Sequence, residues 1–143
     1  MFRDPTIEKN FHKALSWLYD VEDACGIDEE HPRQALAALR SVLHQLRDLL
    51  PLENAAYLSA QFPIFIRGLF FENWCPKNEP SRIRKKQEFL EAVAQTLQDY
   101  GYEVQDIESL TTGVLSVIFR RIDPYEREKI LKMVAQDLQE LFY

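Results

Sequence analysis

The chain has 143 residues and a formal net charge of -6, with 46% of residues apolar and 28% charged. That length suits one folding unit burying about 70% of its unfolded-chain surface, and the composition excludes a disordered chain. An acidic balance repels a phosphate backbone, so nucleic acid is not the expected partner. Four glycines and seven prolines leave little material for turns, which argues against a sheet of short strands and for a few long helices.

The first predicted helix runs from about Pro5 to Ala24, with Phe11, Ala14, Leu15, Leu18 and Val21 on one stripe. Asp4 caps it, Pro5 suits its first position and Gly26 stops it. The second begins near Pro32, carries Leu36, Leu39, Val42, Leu43, Leu46 and Leu49, and ends at Pro51. The third covers about Leu52 to Phe71, with Ala55, Leu58, Phe62, Phe65, Ile66 and Leu69 turned inward. Pro63 lies inside it, which predicts a kink or a break into two pieces. A linker follows over 72–80, rich in proline and asparagine.

The fourth helix is predicted from about Ser81 to Tyr100, burying Phe89, Leu90, Val93, Ala94 and Leu97 and stopping at Gly101. The fifth spans about Asp106 to Ile122, with Leu110, Val114, Leu115, Val117 and Ile118 inward. The sixth opens at Asp123-Pro124, where Glu126 can reach back to the cap amide as a capping box, and runs to Tyr143. Its stripe is Ile130, Leu131, Val134, Leu138 and Leu141.

Setting Pro51 against Pro124 aligns Val42 with Leu115, Leu46 with Phe119, Leu49 with Ile122, Leu58 with Leu131 and Phe65 with Leu138. Phe11 matches Phe89 in the same way, and Gly26 matches Gly101. The expected architecture is therefore all-α: a six-helix single domain over 1–143, made of two pseudo-two-fold related three-helix halves. The halves cover about 5–71 and 81–143, and a three-helix unit of that size buries little core alone.

The run Phe62-Pro63-Ile64-Phe65-Ile66-Arg67-Gly68-Leu69-Phe70-Phe71-Glu72-Asn73-Trp74, with Pro76 after it, resembles a bacterial family known as domain of unknown function 2267. Similarity extends through the Arg84 to Leu97 helix and the Ile118 to Leu138 stretch. The resemblance implies a small all-helical protein of two related halves and carries no activity with it. Where the first half has Phe62-Pro63, the second has no proline around Gln136-Asp137-Leu138, so the symmetry is expected to loosen there.

Signals for chemistry are sparse. His44 is read on the wet side of its helix beside Arg40, Ser41 and Asp48; His12 lies at the edge of a stripe; His31 follows the acidic Asp28-Glu29-Glu30. No His-x3-His, Cys-x2-Cys or calcium-loop spacing occurs, so no metal or other cofactor is expected. Cys75 sits in a loop without a base beside it, and no nucleophile elbow or glycine-rich phosphate loop is present. Cys25 and Cys75 are read as reduced thiols of a cytoplasmic protein, and no segment has the length and hydropathy to cross a membrane.

Two features stand out beyond the core pattern. Arg82-Ile83-Arg84-Lys85-Lys86 opens the fourth helix, where cations meet the unfavourable end of the helix dipole. Asp28-Glu29-Glu30 of the other half could clasp them, an anionic partner could hold them, or solvent could screen them. Phe70, Phe71 and Trp74 lie at the helix end and linker, where they either fill the seam between halves or stand out as a docking patch. The expectation is a non-enzymatic binding or assembly module that contacts an unknown protein partner, or a second copy in a homodimer. The residues expected to carry it are Phe70, Phe71, Trp74, Arg82, Arg84, Lys85 and Lys86. The alternative is a small-ligand or enzymatic site in the groove between the halves, with His12 or His31 buried in it.

Overall fold

The computed structural model describes residues 4–76 and 79–142; Met1-Phe2-Arg3, Lys77-Asn78 of the linker and the closing Tyr143 lie outside the described residues. Among the described residues there are eight α-helices, one terminal 3-10 turn and no strand. They are α1 (Pro5–Cys25), α2 (Pro32–Leu49), α3 (Leu52–Ser59), α4 (Ile64–Phe71), α5 (Lys86–Asp99), α6 (Ile107–Arg120), α7 (Pro124–Met133) and α8 (Gln136–Gln139). The 3-10 turn, Glu140–Phe142, closes the described chain.

The count exceeds the expected six because both the third and the sixth predicted helices divide. At Pro63 the reason is covalent: the ring removes an amide donor, and the residue holds φ -61° and ψ 160° ahead of α4. Between α7 and α8 no proline intervenes, yet Val134 and Ala135 are extended, with ψ of 150° and 147°. There Gln139 turns back so that its amide donates to the carbonyls of Leu131 and Val134, at 2.8 and 3.5 Å. A side chain thus takes over carbonyls that the broken ladder leaves open.

Caps explain the cleaner boundaries. Asp4 accepts from the amides of Thr6 and Ile7, and Gly26 at φ 65° supplies the left-handed turn after α1. Asp106 caps α6 through the Ser109 amide, which moves that helix start to Ile107. The capping box at α7 is only half built. Asp123 accepts from Tyr125, but the Asp123 amide donates to Oε1 of Gln61, and Glu126 is instead buried beside Lys129.

α2 and α6 lie at the centre. α2 buries Leu39, Val42, Leu43 and Leu46 completely, together with Ala35, Ala38 and Ser41, so it is enclosed on most of its circumference. α6 contributes Val114, Leu115, Val117 and Ile118 at zero exposure. The flanking helices cross over: α1 packs on α6 as well as α2, and α5 packs on α2 as well as α6. Gly113 marks a close approach of α6 to α1, where an added Cβ would stand 2.9 Å from the Ala24 carbonyl oxygen and 3.0 Å from Cys25 Sγ. A single buried cluster accordingly contains residues from Trp17 through Phe142.

Two predicted core positions are exposed instead. Phe11 is 41% exposed and Phe65 45%. Periodicity put both inward; after Pro63, α4 keeps Ile66 and Leu69 on the core side as expected and adds Phe70 to them, leaving Phe65 off that face.

Candidate functional site

The connector after α4 is anchored by two buried side chains of α2. An eight-residue helix such as α4 leaves its last carbonyls without intrahelical donors, and its last turn, running into Phe70-Phe71-Glu72, has no basic side chain. His44 Nε2 sits 2.7 Å from the Leu69 carbonyl oxygen, which requires the Nε2–H tautomer as donor. Arg47 donates from one terminal nitrogen to the carbonyls of Phe70 and Glu72, at 3.0 and 2.6 Å, and from Nε to Asp48 at 2.9 Å. Arg40 adds a 2.6 Å pair to the Glu72 carboxylate, and its guanidinium stacks 5.0 Å over the Tyr100 ring at the end of α5. His44 was expected on the wet side; it is 7% exposed, and burial lowers its pKa below the usual imidazole value.

Beyond this anchor the chain reverses at Asn73, whose φ of 56° is a left-handed conformation asparagine tolerates better than most residues. The aromatic side chains form a continuous ladder from the core to the connector. Trp17 meets Phe62, Phe62 meets Phe70, Phe70 meets Phe71 and Phe71 meets Trp74, with centroids 4.9–5.6 Å apart and mostly edge-to-face. Phe70 has no exposure and belongs wholly to the core, while Phe71 and Trp74 are half-buried. Trp74 and exposed Cys75 line a shallow hollow of about 230 Å³ with Arg47, Asp48, Glu79 and Ser81.

The basic run divides into two parts. α5 starts at Lys86 rather than near Ser81, so Arg82, Arg84 and Lys85 precede the helix in extended chain and are exposed. Arg82 makes an exposed 3.7 Å pair with Glu79; among the described residues Arg84 and Lys85 have no ion pair. Lys86 is held differently. Its Nζ lies 2.8 Å from Glu108 and 3.0 Å from Glu140, and these hydrogen bonds hold it protonated well above the usual lysine range. Its amide donates to Asp137 at 2.6 Å, so a carboxylate from α8 caps α5 in place of the missing local one. The partners of Lys86 are these three acids; the Asp28-Glu29-Glu30 segment, one of the three alternatives for the basic run, is not among them.

The remaining chemical candidates stand apart from the connector. His12 is exposed and pairs with Glu8 along α1, and His31 is exposed ahead of α2, so neither is buried at the seam. The Cys25 thiol is hydrogen-bonded to the Leu110 carbonyl, and burial pushes its pKa up to about 11. Among the described residues no three metal-ligating side chains cluster, and no helix is long and apolar enough to cross a membrane.

A family model described as an uncharacterized conserved protein, DUF2267, matches residues 15–141. The chain belongs to the DUF2267 family. The match takes in most of α1, the whole connector and every later helix, so the DUF2267 unit includes both the α2 anchor and the Lys86 junction. It opens after Ile7 and Phe11. No curated protein matches the chain.

Proposed function

We propose that this DUF2267 protein is a non-enzymatic binding or assembly module, cytoplasmic, that takes hold of a protein partner through the connector and the basic segment after it. The partner's contact segment is acidic with an apolar residue beside the acids. One observation carries this reading: Arg82, Arg84 and Lys85 stand exposed on the segment that follows half-buried Trp74 in the chain, at the positive end of α5, in a chain of net charge -6. Local electrostatics disfavours cations there by about 0.3–1 kcal/mol each, and an acidic partner would reverse that sign. The anchoring by His44 and Arg47 supports it by presenting the connector from a rigid base. The groups best suited to catalysis are otherwise engaged, His44 in capping α4 and Cys25 as a half-buried protonated thiol.

The same reading includes an internal duplication. It is supported by the reciprocal packing of α1 on α6 and α5 on α2, and by chain breaks at Pro63 and Ala135, which lie close to one another in the repeat register.

The test is partner recovery from the source cells with wild type, Trp74→Ala and the double charge reversal Arg84→Glu/Lys85→Glu. Specific loss of one partner with an unchanged melting temperature supports the connector as the contact. If the partner is retained and only the melting temperature falls, the connector is scaffold.

A further inference from the structure

α1 ends in the same kind of turn as α5. Gly26 and Gly101 both take a left-handed φ, 65° and 90°. The amide after each donates to the carbonyl five residues before it, Ile27 to Glu22 at 2.9 Å and Tyr102 to Leu97 at 3.0 Å. This helix ending commonly packs an apolar side chain at the accepting residue against the residue after the glycine. α5 follows that pattern: Leu97 is 1% exposed, and half-buried Tyr102 lines the same small hollow. α1 departs from it by placing Glu22 there, at 4% exposure.

Glu22 is a buried acid without a counter-charge. The buried acids among the described residues are Glu22 and Glu126, and Glu126 lies 3.4 Å from Lys129. Oε2 of Glu22 is shut off from solvent, and among the described residues no hydrogen bond reaches it. A buried carboxylate left unpaired is costly, so the fold gains nothing from a glutamate where leucine would serve.

Its surroundings indicate what would pair with it. Glu22 lies at the floor of a hollow of about 460 Å³ walled by Tyr19, Asp20, Asp23, Ile27 and Glu29. Arg121 takes Asp20, at 2.8 Å, which leaves Asp23 and Glu29 exposed at the rim. Among the described residues no basic side chain lines the hollow. α1 has none in its last turn either, where the negative end of the helix dipole favours a cation. The hollow at the end of α5 is smaller, about 200 Å³, and in the register that sets Gly26 against Gly101 it has Ala94, Leu97, Gln98 and Val104 for Tyr19, Glu22, Asp23 and Glu29. The turn itself needs none of these acids.

The spacing of the carboxylates selects the kind of cation. Among the described residues no three acidic, histidine or cysteine side chains stand close enough to hold a metal ion. Spread around a hollow much larger than an ion, Glu22, Asp23 and Glu29 suit separate ammonium groups on one flexible aliphatic chain, with the exposed Tyr19 ring beside them.

We propose that this hollow binds a small aliphatic di- or polyamine. One ammonium group pairs with Glu22 at the floor, and another meets Asp23 and Glu29 at the rim. None of these residues belongs to the connector or the basic segment after it, so the amine site and the proposed partner contact stand or fall separately.

Isothermal titration calorimetry on the full chain at low ionic strength tests it, with 1,4-diaminobutane and spermidine as probes. Wild type is expected to bind both, more weakly as sodium chloride is added. Glu22→Leu copies the end of α5; it is expected to melt no lower than wild type and to bind about tenfold more weakly or worse. Asp23→Asn/Glu29→Gln alters only exposed groups and keeps the test decisive if Glu22→Leu fails to fold; it too is expected to lose about tenfold. Glu91→Gln removes one charge from an exposed position on α5 and, like Trp74→Ala, is expected to bind as wild type does. The proposal is overturned by a wild type that binds neither amine at about millimolar concentration. Undiminished binding in the Glu22 or rim variants, an equal loss in Glu91→Gln, or binding of magnesium ion or a capped lysine in place of the amines overturns it as well.

Discussion

His44 and Arg47 show how a buried polar side chain can serve a neighbouring helix rather than its own. Both lie on α2, one turn apart in the sequence, and together they satisfy three carbonyls at the end of α4. Because Arg47 reaches in three directions with a planar fork, lysine would not replace it. His44 carries a pH dependence with a definite sign. Desolvation lowers its folded pKa below 6.5, so the unfolded chain takes up a proton first as pH falls. Its contribution to stability is complete above about pH 6.5 and declines as pH drops through that value toward the folded pKa. Urea midpoints measured from pH 8 to 5 should fall on the acid side in wild type, and the decline should be shallower in His44→Gln. Gly113 offers a second residue-scale expectation. Alanine there gains helix propensity of about 1 kcal/mol but drives its Cβ against backbone, so Gly113→Ala should destabilise by about 1–3 kcal/mol in thermal melts.

Helix ends are the places where elements in this fold depend on one another. α5 lacks a side-chain cap of its own, and Asp137 provides one from α8. Removing it with Asp137→Ala should cost about 1 kcal/mol, read from chemical denaturation, and amides in the first turn of α5 should exchange hydrogen faster. This dependence explains where the sequence could and could not be read. Asp4, Gly26, Pro51 and Pro63 act on their own neighbours, so the ends of α1 and α2 and the division of the third predicted helix were legible. The start of α5 at Lys86 and the break before α8 were not, because Asp137 and Gln139 arrange them through contacts 51 and 8 residues away. Phe65 was misplaced for a related reason. A 3.6-residue period extrapolated across Pro63 shifts at the break, so α4 keeps Ile66 and Leu69 inward but takes Phe70 with them in place of Phe65.

At the scale of the molecule, crossing of the flanking helices ties the two halves into one buried cluster. Truncating Leu39 in α2 or Leu115 in α6 to alanine should each cost about 3 kcal/mol. Each should shift the denaturant midpoint of the whole chain without introducing a second transition. Residual helix surviving as a separate plateau in either variant would mean that the halves unfold independently. The candidate contact region was partly legible at this scale. Composition made the cations of 82–86 conspicuous in an acidic chain, and the aromatic density around Phe70 was plain. What composition could not distribute was burial: Phe70 went wholly to the core, Lys86 to a triad of carboxylates, and Phe65, read as core, to the outward face of α4.

The two thiols give this protein an internal clock. Cys75 stands in solvent, whereas Cys25 is half-buried and hydrogen-bonded to the Leu110 carbonyl where α1 meets α6 closely at Gly113. A thiol reagent in excess should modify Cys75 within its mixing time. Cys25, half-buried with its thiol pKa pushed up to about 11, should react in a slower phase that quickens as α1 and α6 separate.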